Sequence, residues 1–279
     1  MTCDAVLFDE QWLQSEGARL FVRVARLPEP IRAEVVVTHG LGEHSGRYAH
    51  VAEALSRHGF RMWGYDLRGH GRSDGPRGDA RRYALLLEDL DLVRAQAARS
   101  GRPLFLLGHS MGAQITLNYL LSRTIDCRGA VIASPWLRLA FKPPIWRRVL
   151  ARVAAHLLPG HTQGTDSIAV HLSRDAAHLS SMADPQLTHH RVSARLFVAL
   201  QRGGRNALAH AAEFTRPVLL LHGGDDVVTS FAATREFYER AGSADKQFVL
   251  YPDAVHETHN DLGREKMLAD CTQWIEVRL

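Results

Sequence analysis

Three short stretches of the chain carry side chains whose types and order suit nucleophilic catalysis. In FLLGHSMGAQ, Ser110 stands between Gly108 and Gly112, after the apolar run 104–107 and before the helical pattern of Met111, Ile115, Leu117, Leu120 and Leu121. A serine on a strand-to-helix corner with glycines two positions either side is the G-x-S-x-G pattern, in which the missing side chains let the backbone turn sharply and push one hydroxyl out over a sheet. Five residues also match by chance in a chain rich in Ala, Gly and Ser, so the rest of the chain must supply the context. A serine hydroxyl is a poor nucleophile at neutral pH and needs an imidazole as base, itself oriented by a carboxylate. In such folds the order is serine, acid, histidine, with the acid after one late strand and the histidine after the next. Asp225 and Asp226 follow the apolar run 217–221, and His256 follows the run 247–250. The two adjacent carboxylates project in different directions, so only one of them faces the imidazole. A developing oxyanion needs two main-chain N–H donors: Met111, next after the serine, supplies one, and Leu41 in THGLGEHSGRY supplies the other. His39 in that loop reads as a brace, and Asp66, His70 and Arg72 of YDLRGHGRSDG read as groups that fix a turn.

The elements that must position these residues are legible as alternating apolar runs and helical patterns. Strands are expected at 6–12 and 19–25, paired as a hairpin about Gly17, and at 34–38, 61–65, 103–107, 128–133, 217–221 and 247–250. Helices are expected at 48–57, 83–99, 111–122, 232–240 and 262–277. Alternation of this kind predicts an α/β fold, a mostly parallel eight-stranded sheet flanked by helices, with the ligand beyond the carboxyl ends of the strands, where Ser110 falls. Between Ser134 and Arg216 the rhythm breaks into mainly helical sequence. We therefore expect a core made of 1–134 and 216–279, with 135–215 inserted as a helical cap. Within the cap, IWRRVLARVAAHLL repeats Ile145, Val149, Val153 and Leu157 at i+4 beside Trp146, Leu150, Ala154 and Leu158, with Arg147, Arg148 and Arg152 on the other side. That pattern serves either a helix facing the core or one lying in a membrane interface, with Lys142, Pro143 and Pro144 leading into it.

Composition narrows the function. Hydrophobic residues make 46% of the 279 and charged residues 23%, which suits a globular protein, and no apolar run approaches the ~18 residues of a membrane span. The N-terminus has no basic segment followed by an apolar one, so a cytoplasmic location is expected. The net charge is +4, yet three of the 34 basic residues are lysine and 31 arginine, and they form no block of like charges interleaved with aromatics, so nucleic acid is not expected as a partner. Cys3, Cys127 and Cys271 are odd in number and scattered, which suits free thiols. The 16 histidines show no metal-ligand spacing such as H-E-x-x-H, so neither metal nor cofactor is expected.

HGLGEHSGRY, DLRGHGRSDG, GHSMG, LLLHGGDDVVT and YPDAVHETHND together resemble the α/β-hydrolase superfamily and, within it, the monoacylglycerol lipase and lysophospholipase branch. The resemblance runs over nearly the whole chain. It departs at Ala113, where the family often has a second glycine after GHSMG. The resemblance implies Ser110, Asp226 and His256 as nucleophile, acid and base, preferring Asp226 to Asp225. It also implies that Glu43, Arg47 and His259 lie near the alcohol part of an ester. The expected reaction is hydrolysis of a carboxylic ester with a lipid-like acyl chain through an acyl-enzyme, monoacylglycerol first and a lysophospholipid or general carboxylic ester next. The expected partner is a small-molecule lipid ester, with peripheral membrane contact through the cap. From another class, a non-catalytic binding protein would keep the pocket but have little need of all three residues.

Overall fold

A computed structural model describes residues 6–142, 144–165 and 171–279, without the side chains of Arg147 and Arg148; Cys3 and Pro143 lie outside the described residues. Its frame is an eight-stranded sheet in the order β1-β2-β4-β3-β5-β6-β9-β10. β1 (Phe8–Ser15) and β2 (Ala18–Ala25) form the opening hairpin, and β2 runs antiparallel to β4 (Phe60–Tyr65). β3 (Ala33–Thr38), β5 (Leu104–His109), β6 (Gly129–Ala133), β9 (Val218–Gly223) and β10 (Lys246–Tyr251) continue from β4 in parallel. The central strands are buried at every residue, as their continuous apolar sequences require when helices cover both faces.

Alternate residues divide between two cores. Val36, Leu104 and Leu106 face the side covered by α2 (Tyr83–Ala98), α3 (Met111–Ser122) and α7 (Phe231–Arg240). Val35, Val37, Phe105 and Leu107 face α1 (Ala49–Ser56) and α8 (Arg264–Glu276). This period of two fixes strand register, because a slip of one residue would exchange the faces. Cys127 and Cys271 are buried and unpaired.

Between β6 and β9 the chain forms α4 (Ile145–Leu157), α5 (Ala176–Ser181) and α6 (Ala194–Ala209), with β7 (Thr162–Gly164) pairing antiparallel to β8 (Arg191–Ser193). Polar contacts tie this segment to loops that leave the carboxyl edge of the sheet. Ser193 and Arg195 bond Asp79, Arg174 bonds Asp261, and the His189 N–H donates to the Gly42 carbonyl over 3.1 Å. α6, capped by Ser193, presses Leu196 and Leu200 into the main core. α4 does the opposite: Ile145 is 76% exposed, Trp146 61%, Val149 50% and Leu157 68%, so its apolar face does not meet the core. None of the described helices is long and apolar enough to cross a membrane.

Candidate active site

The turn between β5 and α3 brings Ser110 to the carboxyl edge of the sheet. Its backbone adopts φ 53°, ψ −114°, a conformation that side chains disfavour and that the packing around it must hold. Two glycines make the turn possible by close approach. A Cβ on Gly112 would lie 2.1 Å from the Thr38 carbonyl oxygen, and one on Gly108 2.7 Å from Ala113 Cα, so any larger residue would force strand and helix apart. Ala113 meets no such limit and is buried in the core.

Ser110 Oγ lies 2.9 Å from Nε2 of His256, whose Nδ1 lies 2.8 Å from Asp226 Oδ2. All three are buried, whereas Asp225 is exposed, so the tight turn after β9 sends the two neighbouring carboxylates opposite ways. Asp226 is held firmly: its Oδ1 accepts the N–H groups of Val228 and Thr229 over 2.7 and 2.9 Å, and its Oδ2 accepts the Thr229 hydroxyl over 2.8 Å. His222 Nε2 approaches Oδ2 to 3.2 Å. Burial pushes the Asp226 carboxyl up, but the charge of His256 and hydrogen bonds from His222 and His256 outweigh it and hold the group well below the ordinary carboxylate range. For His256, burial favours the neutral ring, yet the Asp226 carboxylate overrides this and raises the imidazole above its ordinary 6.5. A serine hydroxyl, an imidazole and an ionised carboxylate in this order can pass the hydroxyl proton to Nε2 while the Nδ1–H keeps donating to the ionised acid.

Met111 is the first residue of α3, so its N–H has no partner within the helix and lies at the positive end of the helix dipole. Neither it nor the N–H of Leu41 is spent on another backbone bond among the described residues. The Leu41 loop is braced from below. His39 Nε2 accepts the Leu67 N–H over 3.0 Å, which leaves Nδ1–H to donate to the Gly40 carbonyl over 2.7 Å. Asp66 accepts the N–H of Ser45 and of Arg72, each over 2.7 Å.

Glu43, Arg47 and His259 come together, but as a buried cluster and not as an open wall. Glu43 Oε1 is 3.0 Å from His109 Nδ1 and Oε2 accepts the Tyr48 hydroxyl over 2.9 Å. Arg47 makes a two-pronged bond to Glu257 over 3.0 and 2.7 Å. The His259 ring stacks on Tyr48 at 4.9 Å and meets His109 edge-on at 4.6 Å, and neither of its nitrogens has a hydrogen-bond partner among the described residues. His109 in turn lies 4.9 Å from the His256 ring. Burial opposes the Glu43 carboxylate, but His109 and Arg47 hold it well below its ordinary range; burial and His109 push His259 well below 6.5. Ligand atoms of Glu43, His109 and His259 lie within 4.8 Å of one another, a spacing a metal ion would accept. Glu43 is already engaged by His109 and Tyr48, with Arg47 3.8 Å away, so the donor set suits a hydrogen-bonded network better than a cation. His109 and Glu257 were missed from the sequence. Each stands directly beside a residue of the catalytic pattern, and that adjacency was the signal available.

A serine at a strained strand-to-helix corner, with an acid and a histidine on the exits of two later strands, defines an α/β-hydrolase. The profile of one such family, serine aminopeptidase S33, matches residues 29–263. A monoacylglycerol lipase from Mycolicibacterium smegmatis is 33% identical over 267 residues, 94% of this chain and 95% of that protein. A putative monoglyceride lipase from Schizosaccharomyces pombe is 33% identical over 81% of this chain and 62% of its own length. An uncharacterised abhydrolase domain-containing protein from Dictyostelium discoideum is 31% identical over 88% of this chain, which spans only 26% of that relative. Among solved structures, the monoacylglycerol lipase of Paleococcus ferrophilus superposes with a TM-score of 0.85 at 30% identity, over 93% of this chain and 99% of that one. The chain belongs to this α/β-hydrolase family, in the branch that holds monoacylglycerol lipases.

Proposed function

We propose that the chain hydrolyses monoacylglycerols to glycerol and fatty acid. The observation that carries this reading is the unbroken hydrogen-bonded line from Ser110 through His256 to Asp226, set in a chain whose near-full-length relative is a monoacylglycerol lipase. Ser110 Oγ attacks the ester carbonyl as its proton passes to His256 Nε2, and the N–H groups of Met111 and Leu41 receive the oxyanion. Collapse expels glycerol, which takes the proton from His256. Water, losing a proton to the same nitrogen, then attacks the acyl-enzyme and frees the fatty acid and Ser110. His259, with hydrogen-bonding capacity left over, receives a glycerol hydroxyl. Glu43 and Arg47, committed to His109 and Glu257, act as positioning residues for that end of the site.

Residues 1–134 and 216–279 form the catalytic core in this reading, and 135–215 form a cap that collects substrate. The exposed apolar side chains of α4 rest at the headgroup–acyl boundary of the cytoplasmic leaflet, so a cytoplasmic protein meets an insoluble ester there. The test is a p-nitrophenyl ester chain-length series run beside a monoacylglycerol, a lysophospholipid and an aminoacyl p-nitroanilide. Monoacylglycerol should be preferred, a fluorophosphonate should label Ser110, and Ser110→Ala should lose both activity and label. Preference for the anilide or the lysophospholipid overturns the substrate. Retention of more than about one per cent of wild-type activity by Ser110→Ala overturns the nucleophile, since its removal ordinarily costs several powers of ten.

A further inference from the structure

Two cavities in and beside the cap, outside the triad, are strongly cationic. A cleft of about 800 Å³ bordered by α2, α4 and α6 is lined by Arg81, Arg82, Arg152, Arg195 and Arg202, with no carboxylate on its wall. A second cavity, of about 400 Å³, shares Arg152, Val198 and Arg202 with the first and adds Arg138, Lys142 and Arg205, again with no carboxylate. Arg82 pairs with Glu16, Arg195 with Asp79 and Arg138 with Glu236. Among the described residues no acid pairs with Arg81, Arg152, Arg202, Arg205 or Lys142. An arginine-rich chain does not by itself account for this. Many surface arginines elsewhere are matched, as with Arg19 and Asp74, Arg26 and Asp9, Arg32 and Glu276, and Arg278 and Asp245. Others, such as Arg99, Arg123 and Arg128, are exposed without an ion-paired acid among the described residues, and what sets the cleft apart is that several unpaired cations line one concave surface.

The chemistry of the cleft selects its ligand. On its floor the Tyr83 hydroxyl donates to Gln114 Oε1 over 3.1 Å, Asn118 Nδ2 donates to the Tyr83 oxygen over 3.2 Å, and Asn206 Nδ2 donates to Asn118 Oδ1 over 2.9 Å. These groups satisfy one another, which leaves guanidinium N–H as the unspent capacity. Guanidinium groups only donate, and their planar forks fit the oxygens of phosphate. The neighbouring cavity adds Leu139, Phe141 and Phe197, and the helix that brings Arg152 to the cleft exposes Val149 and Val153 outside it. A phosphate that carries acyl chains matches both surfaces, whereas free phosphate matches one.

We propose that this cleft is a second site, separate from Ser110, for the phosphate headgroup of an anionic phospholipid. The choice of lipid over free phosphate rests on the membrane-facing reading of α4; the choice of phosphate does not. The probe is dihexanoylphosphatidylglycerol below its micelle-forming concentration, titrated calorimetrically into the full-length Ser110→Ala protein so that hydrolysis cannot intrude. Dihexanoylphosphatidylcholine and inorganic phosphate run in parallel. The anionic lipid should bind and the zwitterionic one should not. Combining Arg81→Gln, Arg152→Gln and Arg202→Gln should weaken binding by about tenfold or more. In the wild-type background the same changes should leave hydrolysis of p-nitrophenyl acetate as it was, which also reports that the fold survives. Arg202→Gln alone, a milder change, should lower affinity by a smaller factor. Equal binding of the two lipids, or unaltered binding by both arginine variants, overturns the site. Inorganic phosphate binding as tightly as the lipid overturns the lipid assignment. Because the probe is monomeric, Trp146→Glu should not affect its binding, so failure of α4 to engage membranes and failure of this cleft give different results.

Discussion

Beneath Ser110, ionisable side chains are buried and spent on one another: Asp226 on His256, Glu43 on His109, Arg47 on Glu257. Along α4 the situation is reversed, with Ile145, Val149 and Leu157 half or more exposed. α6 stands between these extremes. It belongs to the same insertion as α4 and is as clearly amphipathic, yet Leu196 and Leu200 disappear into the core. Helical periodicity therefore specifies that a face is apolar without specifying what covers it. Under the proposed function this contrast is a division of labour: the core sets the chemistry and α4 sets where the substrate is met.

The sharpest way to break that division is at the acid. Asp226→Asn should lower kcat by about 10⁴ by favouring the wrong tautomer of His256, while Asp225→Asn, on the exposed neighbour, should leave kcat near wild type; steady-state kinetics on a soluble short-chain ester reads both. The reverse ranking would move the role to Asp225.

Next comes packing. Leu200→Ala in α6 removes a fully buried side chain and should cost about 2–5 kcal/mol in urea unfolding. Val153→Ala in α4, 47% exposed in the wild type, should fall within about 0.5 kcal/mol. Equal costs would mean that α4 is core after all.

Proton linkage separates the two regions as well. His39, His70 and His259 are buried and held below 6.5, first by burial, so the unfolded chain takes up protons there that the folded chain refuses. Stability should therefore fall as pH drops below about 6.5. The lowered Asp226 and Glu43 add to that loss further down, as pH falls through the carboxylate range. His256, raised by Asp226, has the opposite sign: its contribution is complete below 6.5 and is lost as pH rises through its folded value. Activity needs the neutral ring, so kcat/KM should decline on the acid side with an apparent pKa above 6.5. An apparent value at or below 6.5 would remove the argument that Asp226 stabilises the charged imidazole.

The smallest change expected in the chemistry comes from Trp146→Glu. It should reduce sedimentation with vesicles containing anionic lipid and leave kcat/KM for a short soluble ester unaltered. Unfolding of this variant, or a wild type that vesicles never retain, would show that substrate arrives from solution.

Much of this was legible in the sequence, for physical reasons. All eight strands of the main sheet and the five helices expected around it stand within a few residues of their expected positions; for the central strands, burial on both faces leaves little freedom. The edges moved where hydrogen bonding decides. β5 runs on to His109, which pairs with Ala133, and β1 continues to Ser15, which pairs with Ala18 across a tight turn. The pairing of Arg47 with Glu257 spans 210 residues, and no local pattern in one sequence announces such a contact. The exposure of α4 was equally hidden, since a core-facing and an interfacial helix share one periodicity. The structure leaves Ile145, Trp146, Val149, Val153 and Leu157 about half or more exposed, which counts against the core-facing reading.

The order of the strands has one more consequence, for the timing of synthesis. Ser110 follows β5, but β9 and β10, which carry Asp226 and His256, leave the ribosome only after the cap has been made. Domains generally fold as units, and this sheet is complete only when β9 and β10 have joined it. For the interval in which the cap is being threaded out, the chain holds its serine with no base and no acid, inert toward ester lipids. The reactive group is armed last.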